Sequence, residues 1–416
     1  MHEGHFCIAY LDLVTLFPHL SVTRAPHSNP PDEMDPADFT MPSGRLVPTI
    51  LDQRAFVPNA LPPSLELAPI QHLLSEADQK LGELRGIGRY LPNPYLLIRP
   101  LQRREAIASS NIEGTYTSLP ELLMFESGIE DQPRAVDTRE VFNYINALQE
   151  GFRLLEQVPI SNRLINALHK RLLLGMPKHR SGVFAPGEYR TEQNLIGKSK
   201  DISKSRFNPP PPPIHLDCMS GLEKFVNSED MGNIPTLIFL AMIHYQFETI
   251  HPFPDGNGRV GRLLIPIILK SRGVMDQPLL YMSQFFEDNR DEYVELLLKV
   301  SQRSDWLSWI AFFLRGVIEA SEKTIQTIHN VMELQETYKQ RCQQARSSAL
   351  LMQIIDSLFE RIGITVPVVR DMTGTSYTAA LNNLNKLVEY GILQEHKGPQ
   401  RPKFYFATEL VKIFES

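Results

Sequence analysis

The stretch HPFPDGNGRVGR, His251 to Arg262, decides how the rest of the chain is read. An apolar run, Pro235 to Ile250, precedes it and has the character of a buried helix. Pro252 and Pro254 cannot continue that helix, so the chain must leave helical geometry near His251. A second apolar helix is predicted from about Gly258 through Lys270. The stretch is therefore a loop between two helices that closes on a helix N-terminus.

Its residue types suit an anion. The backbone N–H groups of Gly256, Asn257 and Gly258 would point above the second helix, where the helix dipole favours negative charge. Arg259 and Arg262, three positions apart, share one helix face and can flank the same ligand. Asp255 offers a hard oxygen ligand of the kind that holds Mg²⁺ against phosphates. At the other end of the loop a neutral His251 imidazole could take a proton from an attacking hydroxyl. Together these imply a nucleotide phosphate site with a general base beside it. A plain glycine-rich turn with solvated arginines would need neither the His nor the Asp.

The composition sets the frame. The 416 residues suffice for two or three domains, and the hydrophobic (42%) and charged (22%) fractions are those of an ordinary globular chain. The net charge of −6 gives no global case for nucleic acid or an anionic membrane. Cys7, Cys218 and Cys342 are scattered, which predicts reduced thiols and a cytoplasmic setting. No apolar run reaches the length of a membrane span, and His5 to Leu20, interrupted by Asp12 with no Lys or Arg ahead of it, makes a poor signal peptide.

HPFPDGNGRVGR resembles the signature of Fic-domain proteins, HPFx(D/E)GNGRxxR, at every defined position. The resemblance implies a mainly α fold, a Fic-type helical bundle with a β-hairpin flap, and AMPylation: AMP passes from ATP to a protein hydroxyl and pyrophosphate leaves. It makes His251 the base and Asp255 the Mg²⁺ ligand. Gly256, Asn257 and Gly258 become the anion hole, and Arg259 and Arg262 the phosphate ligands, with Arg262 on the γ-phosphate.

The same resemblance gives weight to an upstream helix, Pro100 to Ser110, that ends in SSNIEG. Alone this is a capped helix end with an exposed Glu. Ser109, Glu113 and Gly114 fit the family's inhibitory pattern (S/T)xxxE(G/N), which implies that Glu113 pairs with Arg262 and spoils the posture of ATP. Tyr189 to Ile196 and Asp201 to Phe207 are predicted to pair as a hairpin across Gly197 to Lys200. By resemblance Asn194, Leu195, Ile196 and Gly197 form the flap that clamps an extended target backbone by strand addition. Tyr293 matches the tyrosine that faces adenine, although Val294 stands where a second tyrosine is common.

Around this core, residues 1–45 are expected to be a disordered or loosely packed extension, 46–160 a helical region with the inhibitory helix, and 161–335 the catalytic core. Pro209 to Pro213 are expected to act as a stiff spacer. His169 is expected to be a surface or core residue rather than a ligand, and His244 a packed core histidine. Glu319 to Gln344 reads as a connecting helix. Residues 336–416 read as a winged helix-turn-helix domain, with helices at Thr365–Met372 and Ser376–Tyr390 and strands at Ile392–His396 and Lys403–Ala407. Its second helix carries Lys386 as its one cation, so DNA and protein docking both stay open.

The function expected is thus a protein adenylyltransferase that also labels itself, restrained by Glu113, with ATP, Mg²⁺ and a protein substrate as partners and a homodimer implied by the resemblance. Two alternatives remain at the level of sequence. One is a deAMPylase that uses the same site with a water positioned by Glu113. The other is a winged-helix DNA-binding regulator whose Fic core senses nucleotide.

Overall fold

The computed structural model describes residues 33–90, 95–129, 135–176, 185–197, 201–228, 234–344, 349–397 and 402–415. Among the described residues, eleven α-helices make the main body: α1 (Gln71–Tyr90), α2 (Tyr95–Ile112), α3 (Leu119–Glu126), α4 (Ala135–Leu155), α5 (Asn162–Leu172), α6 (Ile214–Val226), α7 (Thr236–Ile250), α8 (Asn257–Ser271), α9 (Ser283–Asp288), α10 (Arg290–Arg303) and α11 (Trp306–Gln344). The centre is the α7–α8 pair. In α7 only Thr236 and Glu248 escape full burial, and in α8 only Gly258, Lys270 and Ser271 do. Helices apolar on all sides need cover all round, which α4, α6, α10 and α11 supply. The expected cap after α2 forms, with Gly114 turning the chain at φ 80°, and at the start of α5 the Ser161 hydroxyl accepts from the Leu164 N–H.

Several expected boundaries shift. α2 begins at Tyr95, with Pro100 inside it, rather than at Pro100. Residues 33–45 are not loose. The Met41 and Ser43 N–H groups donate to the carbonyls of Gln302 and Ser301, and the Ser43 hydroxyl meets Tyr245 Oη at 2.9 Å. They lead into a hairpin that sequence reading missed, β1 (Gly44–Pro48) antiparallel to β2 (Arg54–Pro58). Its Phe56 N–H donates to the Asn208 carbonyl, so the hairpin abuts the proline run. Pro209 and Pro210 are themselves buried, as a spacer between packed elements requires. Residues 1–32, with Cys7, lie outside the described residues.

The C-terminal unit comprises α12 (Ala349–Arg361), β3 (Gly363–Thr365), α13 (Val366–Thr373), α14 (Tyr377–Glu389), β4 (Gln394–Glu395), β5 (Phe404–Phe406) and α15 (Thr408–Glu415). The strands form one antiparallel sheet in the order β3-β5-β4. Gly374, at φ 66°, makes the tight turn between α13 and α14. β3 was not anticipated: three residues are too few to show a period of two. The turn at 398–401 lies outside the described residues. The expected boundary at 336 falls inside α11, whose single course packs on α1 in the main body and on α12 and α15 in the C-terminal unit.

α2 is also held from both sides. The Arg103 guanidinium is nearly buried, donating through Nε and Nη2 to the Glu126 carboxylate (3.0 and 2.8 Å) and through Nη1 to the Glu360 carbonyl (2.9 Å). Arg103→Ala would leave a largely buried carboxylate unpaired. We expect a loss of about 3 kcal/mol, seen as a lowered thermal midpoint. A midpoint moved by less than about 1 °C would contradict this role.

Candidate active site

The two helices flanking the signature fix its loop. His251 ends α7 in the left-handed region (φ 50°, ψ 59°), a conformation unusual for a non-glycine residue and doubly so before proline. A buried arginine that sequence reading missed holds it there. Arg190 Nε donates to the His251 carbonyl at 2.8 Å, its backbone N–H donates to the Pro252 carbonyl at 2.9 Å, and Nη2 reaches the Pro210 carbonyl. Asn257 braces the same loop, its side chain accepting from the Phe253 N–H (2.8 Å) and donating to the Phe253 carbonyl (2.7 Å). Gly256 turns into α8 at φ 79°.

His169 is a loop clamp rather than a plain core residue. Its Nδ1 accepts from the Gly187 N–H at 2.9 Å, so Nε2 carries the proton and donates to the Asp255 carbonyl at 3.0 Å. The ring stacks on Phe253 with centroids 3.8 Å apart. His244 is packed as expected, its Nε2 bonded to Tyr293 Oη at 2.8 Å and its Nδ1 facing the Gly261 carbonyl at 3.3 Å.

His251 Nδ1 faces the Glu248 carbonyl at 3.2 Å. A carbonyl can only accept, so Nδ1 bears the proton and Nε2 keeps its lone pair. Burial and the Arg190 charge lower the His251 pKa to about 4, so the ring is neutral at pH 7. Burial likewise lowers His169 to about 4 and His244 to about 3. The unfolded imidazoles titrate near about 6.5. Between those values these three histidines bind more protons in the unfolded chain than in the folded one. Stability from these groups is thus complete above pH about 6.5 and is lost as pH falls toward 4. The thermal midpoint should be lower at pH 5 than at pH 7; an equal or higher midpoint at pH 5 would contradict the assigned protonation.

A cavity of about 200 Å³ opens over the N-terminus of α8. His251, Gly258, Arg262 and Glu113 line it, with Ile196 and Tyr293 on the flap and α10 sides. Arg262 is 1% exposed and fully committed on two nitrogens: Nε donates to Ser109 Oγ (2.8 Å), and Nη2 donates to the Ser109 carbonyl (2.9 Å) and to Glu113 Oε1 (2.7 Å). Burial would raise the Glu113 pKa, but Arg262 and Arg259 outweigh it and hold the carboxyl below its ordinary range. A Cβ on Gly258 would come within 2.2 Å of Glu113 Oε1, so the missing side chain makes room for that carboxylate. The Glu113 carboxylate thus sits where a helix N-terminus and an arginine invite an anion.

Other signature residues lie behind the cavity. Arg259, 2% exposed, pairs with buried Glu140 and, at 3.2 Å, with Asp255 Oδ1. Its guanidinium is therefore engaged by these two acids, and of the two signature arginines Arg262 is the one that lines the cavity. Glu140 was missed because it lies 119 positions from its partner, on a different helix. Asp255 also accepts from the Gly256 N–H at 2.6 Å, so that N–H is not open to a ligand. Its carboxylate is 38% exposed. Among the described residues no three His, Cys, Asp or Glu side chains cluster as a metal cage.

The flap is shorter than the strands expected. One antiparallel bridge joins Ile196 and Phe207 through both backbone bonds, 2.9 and 3.1 Å. Pairing stops there because Gly197 sits at φ 146° and Asp201 caps a 3-10 turn at Ile202–Lys204. The Asn194 side chain donates to the Phe253 carbonyl at 2.7 Å, tying the flap to the signature loop, whereas Leu195 and Gly197 are not among the cavity-lining residues. Residues 198–200, including the expected loop lysines Lys198 and Lys200, lie outside the described residues. Arg206, beside the bridge, pairs with Glu295 of α10. Tyr293 contributes its ring to the cavity, but its hydroxyl is spent on His244.

The comparisons with known proteins agree with this geometry. Residues 71–153 match the Fic/DOC family N-terminal region and residues 159–269 the Fic/DOC family itself. The chain is 28% identical over 210 residues to a probable protein adenylyltransferase of Aquifex aeolicus, covering 49% of this chain and 56% of that one. It is 31% identical over 182 residues to the protein adenylyltransferase Fic of Drosophila melanogaster, covering 44% of this chain and 31% of that one. The matched region thus spans little more than half of the first relative and about a third of the second. A crystal structure of a Fic family protein from Desulfovibrio desulfuricans superposes with a TM-score of 0.55 at 20% identity, over 83% of this chain and 98% of that one, which bears on fold alone. With both matched regions in order and the signature loop between its two buried helices, residues 71–153 and 159–269 are the two domains of the Fic/DOC family.

Proposed function

We propose that this site transfers AMP from ATP to a hydroxyl side chain of a target protein, itself included, and that Glu113 restrains the transfer. One observation carries the reading: a neutral imidazole with its Nε2 lone pair free shares a cavity with a buried arginine at a helix N-terminus. The target hydroxyl attacks the α-phosphorus. His251 Nε2 takes the hydroxyl proton as the new P–O bond forms, and the bond to the bridging oxygen breaks to release pyrophosphate. Arg262 and the N-terminus of α8 hold the phosphate chain in line. Arg259 works at one remove, keeping Asp255 in place through their ion pair.

Asp255 suits Mg²⁺. Mg²⁺ is commonly held by one or two carboxylates together with substrate phosphates, and Asp255 presents a partly exposed carboxylate at the edge of the loop. When bound, the ion would neutralise charge on the phosphates. The target backbone adds along the outer edge of the flap, through backbone groups beside Ile196, whose own N–H and carbonyl are taken by Phe207. The C-terminal unit reads better as a protein-docking module than as a DNA reader, because Arg370 and Lys403 are each paired with a neighbouring acid, Asp371 and Glu395.

The test is mass spectrometry of the Glu113→Gly chain after incubation with ATP and Mg²⁺. An AMP adduct on a Ser, Thr or Tyr side chain, with pyrophosphate released, is expected. ATP left intact, with the chain unmodified and no protein in a cell lysate labelled, would contradict the proposal.

A further inference from the structure

Glu248 stands one turn before His251, and neither the signature nor the inhibitory pattern includes it. It lines the same cavity as His251, Arg262, Glu113 and Tyr293. It is the one residue in the last two turns of α7 that is not fully buried, because it faces that cavity. Its Oε1 is nevertheless shielded and has no hydrogen-bond partner. The fold keeps space for this carboxyl: a Cβ on Gly261 would come within 2.2 Å of Glu248 Oε1. Gly261 fills one of the undefined positions of HPFx(D/E)GNGRxxR, and Glu248 gives the physical reason for a glycine there.

A shielded carboxyl oxygen without a partner is costly unless a ligand supplies one. Arg262 does not, being occupied by Ser109 and Glu113. We propose that Glu248 contacts the phosphate chain of the bound nucleotide through its side-chain carboxyl, as a hydrogen-bond donor. This rests on the nucleotide reading above. A donor is required because the neighbouring groups, Arg262 and the α8 N-terminus, mark this wall as the phosphate side, and a carboxylate there would repel the ligand. The protonation state agrees. Burial pushes the Glu248 pKa up to about 8, with Arg262 pulling it down and Glu113 pushing it up.

The charged and titratable groups around Glu248 come from every neighbouring element. Glu113 lies past the end of α2, His244 and His251 on or at the end of α7, Arg262 on α8, Tyr293 and Arg290 on α10, and Arg206 beside the flap. Of these the two histidines titrate at about 3 and 4, Glu113 lies below its ordinary range, and Tyr293 well above its own. Ionisation of Glu248 is then the event that reaches the cavity as pH rises from 7 to 9.

The experiment measures ATP affinity with Mg²⁺ by calorimetry at pH 7 and pH 9, on the Glu113→Gly chain alone and with Glu248→Gln or Glu248→Ala added. Removing Glu113 takes away one of the groups that raise Glu248, so the parent should bind at least about tenfold more weakly at pH 9 than at pH 7. Glu248→Gln, neutral and still a donor, should bind within about threefold of the parent at pH 7 and equally at both pH values. Glu248→Ala should lose roughly tenfold at pH 7. A Gln variant that keeps the parent's loss at pH 9, or an Ala variant that binds like the parent at pH 7, would overturn the assignment while leaving the nucleotide site in place. A parent that binds no ATP at either pH would overturn both together. Should Glu248→Ala not fold, the Gln comparison still decides.

Discussion

Glu113→Gly should raise AMP incorporation by roughly ten- to a hundredfold. The Glu113 carboxylate is bonded to Arg262 at 2.7 Å beside the N-terminus of α8, which is the environment a phosphate oxygen would seek. A charge-assisted bond of this kind contributes about 1.5–3 kcal/mol, and a nucleotide must displace it before Arg262 can serve the phosphates. The substitution has an opposite effect on stability. Arg262 keeps its two bonds to Ser109 but, while 1% exposed, loses the carboxylate that pairs with it among the described residues, so the apo chain should lose about 3 kcal/mol. ATP should restore part of that loss by binding the folded state. Higher incorporation, a lower apo midpoint and a larger upward shift with ATP form a joint signature. Unchanged or reduced incorporation would contradict the restraint, whatever the stability change.

In the same Glu113→Gly background, His251→Ala should cut turnover by a factor of about 10² to 10⁴ while ATP affinity stays within about threefold. The His251 ring donates through Nδ1 to the Glu248 carbonyl, so its part in the proposed step is the Nε2 lone pair alone. With its pKa lowered to about 4, the base form is already complete at pH 6, and turnover between pH 6 and 9 should not follow His251 titration in the free enzyme. A low pKa also makes a weak base, and the bound phosphate anions would raise it toward the working range. Equal turnover in the Ala variant would exclude proton transfer by His251. A nucleotide sensor, the alternative open at the level of sequence, would tolerate the substitution.

How much of this was legible in the sequence depended on how far apart the partners lie. The signature is local. Pro252 and Pro254 dictate the loop, and its glycines and arginines suggest an anion site without any tertiary knowledge. The Arg262–Glu113 contact spans 149 positions, yet it was expected, because Ser109, Glu113 and Gly114 resemble the family's inhibitory pattern; the residues alone gave only a capped helix end. Arg190 had no such signal. One arginine among YRTEQN says nothing of the four carbonyls it gathers around His251. Glu140 and Arg259 were separately legible as helix residues, but burial of the pair depends on the α4–α8 packing. That is why both signature arginines were expected in the cavity, where Arg262 but not Arg259 is among the lining residues. The flap was read from β-capable residues; the turn capped by Asp201 then took the chain out of register after a single bridge. The β1–β2 hairpin escaped notice because two five-residue strands ending in Pro48 and Pro58 resemble a proline-rich linker.

The most direct test of the central claim is parallel incubation of the Glu113→Gly chain with ATP labelled at the α-phosphate and with ATP labelled at the γ-phosphate, in Mg²⁺. The α label should become covalently attached to protein and the γ label should leave as pyrophosphate, with attachment abolished by His251→Ala. Attachment of the γ label would mean phosphoryl rather than adenylyl transfer, and attachment of neither, to this chain or to any protein of a lysate, would contradict transfer at this site.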